Sequence, residues 1–499
     1  MEERASLDAA QQPQATGDMD AESFRRYGHQ VVDWIAQYLT EVGKYPVLSQ
    51  NTPGEIRHAL PSQPPTEPEV MEAILTDFNY ILLPGITHWN SPGFMAYFSI
   101  TGSGPGILGE MLCSALNVNA MLWRTSPAAT ELEQVTLDWL RQMIGLPKPL
   151  FGVINDTASS GVLYALAAAR EAIPHTYIRQ RGMAGRHELP PLCMYTSQEA
   201  HSSVEKAAIT LGIGQSNIRK IGTDAEFRMN VVELEQTIQD DLNRGNLPFA
   251  VVPTIGTTST SSIDPVPQIA ALCEQYKLWL HVDASYGGAA AIDPDMQWIL
   301  KGCEHADSLI LNPHKWLFTP IDCSVLYTRK PEVLKAAFSL VPEYLRNEQS
   351  TGEDVPNLMD YGNALGRRFR SLKLWMVLRY FGQAGLVARI REHNRLAQLL
   401  VQWIDESEDF ERMAPTPFSL VCFRAHPQGM DDESELEALN EHIMSQINTA
   451  GRFFLSHTKL HGLFTIRIAI GNLRTTEQDV GDLWAELQQQ LTVTKGKVL

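Results

Sequence analysis

Apolar positions change their period along the chain, and each change marks an element. Phe24, Val31, Val32, Ile35, Tyr38 and Leu39 recur at helical spacing behind Asp20, a capping residue, and predict an amphipathic helix whose apolar face needs a cover. The Pro-rich passage from Pro46 to Pro68, with "LPSQPPTEPEV", breaks that period, and its fixed φ angles predict an extended arm. From about Pro92 to Arg379 short apolar runs alternate with helical patterns. "LCMYTS" (192–197), "FAVVPT" (249–254), "LWLHVDAS" (278–285) and "SLILNPHKW" (308–316) read as buried strands, the rhythm of a mainly parallel α/β sheet. After Gly385 come a helix to Ile404, a strand "FSLVCF" (418–423), a helix from Glu435 to Ile447, a strand "FTIRIAI" (464–470) and a last helix to Leu491. The predicted organisation is a disordered N-terminus (1–19), a helix and arm (20–85), a large α/β domain (86–384) and a small C-terminal α/β domain (385–499).

Charge and cysteine usage narrow the function classes. With 40 Lys+Arg against 58 Asp+Glu the net charge is -18, which repels nucleic acid and anionic membrane and leaves no basic stripe for phosphate. Cys113, Cys193, Cys273, Cys303, Cys323 and Cys422 are scattered without a C-x-x-C pair, so neither a metal site nor a disulfide framework is indicated. No basic segment followed by an apolar one opens the chain, and no stretch has the length of a transmembrane helix. The expectation is a cytoplasmic protein.

The candidate chemistry lies at the ends of the predicted strands. Asp283 in "HVDAS" and Lys315 in "NPHKW" each follow a buried run. In a parallel sheet such positions open on one crevice, where ligands bind. Taken singly, the Lys reads as a solvated side chain and the Asp as a helix cap. Together they are the two groups that pyridoxal-phosphate (PLP) chemistry needs: an amine that bonds the cofactor and a carboxylate for its pyridinium nitrogen. "INDTASSGVLYALAAAR" (154–170) adds a polar turn opening a helix, where free N–H groups and the Thr157 and Ser159 hydroxyls suit a phosphate, although ordinary capping explains the turn as well. "GTTSTSS" (256–262) follows another strand end.

In order along the chain, "FMAYFS", "TSPAATELE", "DTASSG", "EAHSSVEKA", "HVDASYGG", "NPHKW" and "LGRRFRSLK" resemble the segments of the group II PLP-dependent amino-acid decarboxylases, most closely the aromatic-L-amino-acid decarboxylases. The resemblance runs from about Asp20 to Ala469. It implies the type I fold of PLP-dependent transferases, and a homodimer with the active site at the subunit interface. It also implies roles: Lys315 carries the cofactor, Asp283 pairs with its ring nitrogen, and His201 stacks on the ring. Ala158 and Ser159 fall on phosphate-binding positions, Asn312 and His314 beside the phosphate or substrate, and Thr258 approaches the ring. Tyr344 in "VPEYL" falls on the family's loop tyrosine, which protonates the substrate carbon, and the polar segment 346–357 on its lid. Relatives with phenylalanine there form an aldehyde instead of an amine.

For the substrate, Trp89, Tyr97 and Phe98 match an aromatic pocket wall, although such residues are more often core. Asn119 and Met121 stand where a neighbouring subunit usually contributes more apolar residues, Ser285 where an alanine usually packs beside the ring, and Ser99 and Ile100 where Pro and Thr or Ser are usual. Gly366 resembles members that accept bulky rings, favouring an indole or a catechol or phenol. The reading is decarboxylation of an aromatic L-amino acid (Trp, DOPA, Tyr or Phe). The competing readings are a His, Glu or Asp decarboxylase, an aldehyde-forming enzyme, and a catalytically silent PLP-binding module.

Overall fold

The computed structural model describes residues 17–340 and 356–498. Residues 1–16, most of the segment expected to be disordered, lie outside the described residues, as do Tyr344 and most of the expected lid. The chain groups into two units, one made of Met1–Met95, Glu441–Leu455 and Arg474–Leu499, the other of Ala96–Asn440 and Ser456–Leu473.

In the first unit the expected N-terminal helix spans Ala21–Glu41, and the Asp20 side chain caps it by accepting from the Glu22 and Ser23 N–H groups. Trp34 stacks on Tyr38 (5.1 Å, 6°) and donates to Asn79 Oδ1 (3.0 Å), which fixes the helix to the segment after the arm. The arm is not wholly extended, because Glu55–Ala59 forms one short helix after Gly54, whose φ of 100° a side chain would strain. Trp89 belongs to this unit and stacks on Phe94 (4.2 Å, 27°).

The second unit is built on a seven-stranded sheet of order β1-β7-β6-β5-β4-β2-β3. The strands are β1 Phe151–Asn155, β2 Leu192–Ser197, β3 Ile218–Ile221, β4 Leu247–Val252, β5 Trp279–Asp283, β6 Ser308–Leu311 and β7 Ser324–Thr328. Every residue of β2, β5, β6 and β7 is buried, which is why their sequences are continuous apolar runs rather than alternating ones. β7 is antiparallel to both β1 and β6, so those two run the same way, and β2 through β6 are parallel. The carboxyl ends of β1, β4, β5 and β6 therefore share one edge.

Prolines trim the expected strands. "FAVVPT" is a regular strand only to Val252, because Pro253 has no N–H to donate, and pairing with β5 resumes as an isolated bridge between Thr254 and Asp283. "SLILNPHKW" is a strand only to Leu311; Pro313 then opens a one-turn helix, Pro313–Trp316, so Lys315 sits on a helix rather than a strand. The helix expected to begin after Gly385 belongs to one that runs from Arg370 to Asp405, broken only at Gly382 (φ 60°, ψ 174°). The same unit holds a four-stranded sheet, β8 Phe410–Arg412, β9 Leu420–Ala425, β10 Ser456–Leu460 and β11 Leu463–Ala469, in the order β10-β11-β9-β8.

Candidate active site

Asp283 is the last residue of β5. Its N–H donates to the Pro253 carbonyl (2.9 Å) and its carbonyl accepts from Ile255 (2.8 Å), so the backbone is clamped where the strand ladder ends. The side chain is 4% exposed, and its Oδ1 accepts from the Ser285 N–H (3.1 Å). After β4 the loop 256–262 comes against the turn after Asp283. A Cβ on Gly256 would lie 2.9 Å from the Gly287 nitrogen, so only glycine allows the approach. The loop holds its own shape, with Thr257 Oγ1 accepting from Ser262 (2.9 Å), and it leaves the Thr258 side chain open.

Lys315 reaches the same place from β6. Its Nζ lies 5.2 Å from the centre of the Phe98 ring, and burial lowers its pKa from the usual lysine value, Asp283 opposing and Arg467 adding to the shift. A lysine held this way keeps more of its amine uncharged and nucleophilic. His201 caps the helix Ser202–Thr210; its Nδ1 accepts from the Ser203 N–H (3.1 Å), which leaves the proton on Nε2. One side of His201 is open, while loss of water on the other lowers its pKa. Lys315 adds to that shift and Asp283 opposes it, so all three side chains act on one crevice.

The flanking groups are fixed by hydrogen bonds. Asn312 Oδ1 accepts from Ser324 Oγ (2.6 Å), which turns its amide NH2 end away from Ser324. His314 Nδ1 accepts from the Cys323 N–H (2.9 Å), and burial pulls its pKa down to about 3, so it is neutral. Ala158 and Ser159 are the first residues of the helix Ala158–Glu171, with the Ser159 side chain open and Thr157 as cap. Phe98 stacks on Tyr286 (3.8 Å, 20°) and Tyr286 on Trp316 (4.8 Å, 7°). The Trp316 indole donates to His393 (2.9 Å), so a rigid aromatic pile holds the wall beside Lys315.

Lys315, Asp283, His201, Thr258 and Phe98 thus come together, and Tyr97 is tied in through its carbonyl, which accepts from Arg467. Gly366, Asn119 and Met121 form a separate group. Asn119 Oδ1 accepts from the Arg367 N–H (2.9 Å), and its amide would lie 4.0 Å from a Cβ on Gly366. Gly366 lines a cavity of about 270 Å³ with Asn155, Asp156, Ser160 and Arg370, beside the start of the helix Ala158–Glu171.

Arg467, which sequence reasoning missed, is 4% exposed on β11. Its Nε donates to the Thr258 carbonyl (3.0 Å), its guanidinium lies 4.7 Å from the Phe98 ring centre, and burial lowers its pKa to about 10. The signal was a charge inside the apolar run "FTIRIAI".

Residues 53–426 match the family model described as the pyridoxal-dependent decarboxylase conserved domain. The chain belongs to this decarboxylase family. It is 41% identical over 493 residues to tyrosine decarboxylase 3 of Petroselinum crispum, covering 97% of this chain and 94% of that one. It is 40% identical over 492 residues to phenylacetaldehyde synthase of Petunia hybrida, covering 96% of each. The crystal structure of Oryza sativa TDC with PLP and tryptamine superposes with a TM-score of 0.92 at 35% identity, covering 96% of this chain and 100% of that one. The protein is accordingly a PLP-dependent carboxy-lyase of type I fold.

The decarboxylase site fits its cofactor on an independent observation. Asn155 Nδ2 at the end of β1 and Ser285 Oγ beyond β5 are buried and make no hydrogen bond among the described residues. Both stand at the sheet edge where β1, β5 and β6 end, and buried polar groups are normally paired.

Proposed function

We propose that this carboxy-lyase converts an aromatic L-amino acid with an indole, phenol or catechol side chain to carbon dioxide and the amine, rather than to an aldehyde. The observation that carries the reading is the half-buried Lys315 amine, lowered in pKa and sharing one crevice with the Asp283 carboxylate. When bound, PLP supplies an electron sink for the pair left as the carboxylate departs. Lys315 is the residue that would hold the cofactor through its side-chain amine. Asp283 would place a negative charge beside the ring nitrogen, which favours its protonated form. His201 presents its neutral ring face, and Phe98, braced by Tyr286, limits where the substrate side chain lies. Ala158, Ser159, Asn312 and His314 supply the N–H and amide donors for the phosphate, with the helix Ala158–Glu171 adding its N-terminal dipole.

Two further roles rest on the resemblance. Tyr344 delivers the proton to the substrate carbon, and its presence where aldehyde-forming relatives carry phenylalanine supports the amine product. Trp89, Tyr97, Asn119, Met121 and Gly366 contribute to substrate selection, Gly366 leaving room for a bulky ring.

The same proposal includes a homodimer. On the helix Gly104–Leu116 the side chains of Leu108, Met111, Leu112 and Leu116 form one stripe that is 40–58% exposed, an apolar face that a second copy would cover. A cytoplasmic location is supported by six cysteines that are all free and buried.

The test is incubation of PLP-loaded enzyme with separate L-amino acids. Amine from Trp, Tyr, DOPA or Phe that disappears in Lys315→Ala is the expected result. Carbon dioxide from His, Glu or Asp alone would overturn the aromatic assignment.

A further inference from the structure

Ser285 sits where two anchoring segments meet. Its N–H donates to Asp283 Oδ1 (3.1 Å), and its carbonyl accepts from the Asn312 N–H (3.2 Å), which ties it to the segment that carries Lys315. An alanine would make both bonds equally well, since both use only the main chain of residue 285. The Ser285 hydroxyl makes no bond that holds the fold: the residue is 7% exposed, and its Oγ has no hydrogen-bond partner among the described residues. Serine in a turn commonly bonds its own backbone, and this one does not. A buried hydroxyl without a partner is unfavourable, so a serine here needs a partner that the polypeptide does not supply.

Other unpaired atoms nearby are less available. Thr254 Oγ1 and His281 Nε2 lie within the clamped strand ends that hold Asp283, whereas Ser285 lies beyond the last strand residue, on the edge where Lys315 and Asp283 act together. We infer that the Ser285 hydroxyl is a hydrogen-bond partner of the bound PLP, a cofactor contact that adds to Lys315 and Asp283 and tunes both affinity and the electronic state of the ring. This rests on the assignment of PLP to the crevice. The bond forms only in the loaded enzyme, so it stabilises the holo form and leaves the apo form with an unmet hydroxyl.

The experiment compares wild type, Ser285→Ala and Ser285→Cys as apo and PLP-loaded full-length protein. PLP affinity is read by equilibrium dialysis, the cofactor's visible absorption band by titration with pH, and stability by thermal melting of each form. Ser285→Ala is expected to weaken PLP binding by about three- to tenfold, the worth of one hydrogen bond. It should also shift the visible band, while the apo melting temperature stays the same or rises. Ser285→Cys, a weaker donor of similar shape, should fall between the two. Equal losses of stability in the apo and loaded forms would make Ser285 a packing residue and overturn the inference. Unchanged PLP affinity and spectrum in Ser285→Ala would overturn it too, including the case where only KM for the amino acid changes. A wild type that takes up no PLP would defeat the cofactor assignment and this inference with it; failure of Ser285→Ala alone defeats only the inference.

Discussion

Burial sets the ionisation of the residues around the site. His281 is fully enclosed on β5, and loss of water lowers its pKa from 6.5 to about 4; His393 behaves alike, and His314 falls to about 3. The unfolded chain protonates these histidines first as pH falls, so their contribution is present above pH 6.5 and lost on acidification toward their native values. Asp264 has the opposite sign. Its buried carboxyl is raised from 3.8 to about 7, so its contribution is lost as pH rises through that range. Five histidines lowered by burial (His88, His201, His281, His314 and His393) oppose three carboxyls raised by it (Glu199, Asp264 and Glu486), and the melting temperature of the apo protein is expected to rise between about pH 4 and pH 6.5. A melting curve series that is flat or falls across this window would contradict the account. Ser308 Oγ accepts from the Trp279 indole (2.9 Å) and hydrogen-bonds His281 Nδ1 (2.8 Å), which holds the buried imidazole in place.

At the scale of elements, the long helix Arg370–Asp405 tests a backbone argument. Gly382 has φ 60° and ψ 174° inside it, a region almost confined to glycine, and a Cβ there would meet nothing within 4 Å. Gly382→Ala should therefore cost roughly 1–3 kcal/mol through strain alone, read as a lower denaturation midpoint with unchanged product ratio. A stability-neutral Gly382→Ala would refute that reading. The same helix shows what the sequence made legible. The buried strands were visible because continuous apolar runs have one stable setting, a covered parallel sheet. Their ends were less visible, since Pro253 and Pro313 stop the ladders before the apolar runs end. β7 was not foreseen, and antiparallel pairing leaves no separate mark on a fully buried run. Lys315 and Asp283 were legible because strand ends collect ligands, whereas Arg467 came from a distant strand whose approach to Thr258 only the tertiary fold reveals.

For the whole molecule, the exposed stripe on Gly104–Leu116 makes the homodimer testable. Wild type should sediment as a dimer, and Leu108→Glu with Leu112→Glu should shift it to monomer, since an apolar interface does not accept buried unpaired carboxylates. A fully active wild-type monomer would contradict the proposal.

The proposed reaction turns an aromatic L-amino acid into carbon dioxide and an amine. The most direct measurement is the yield of carbon dioxide, amine and aldehyde from L-tryptophan and L-tyrosine, compared between wild type and Tyr344→Phe. Equal carbon dioxide and amine with little aldehyde are expected from the wild type, and a turn toward aldehyde and ammonia in Tyr344→Phe when the assay buffer holds dissolved dioxygen as the two-electron oxidant. Aldehyde as the main wild-type product, or no carbon dioxide from any aromatic amino acid, would contradict the proposed reaction.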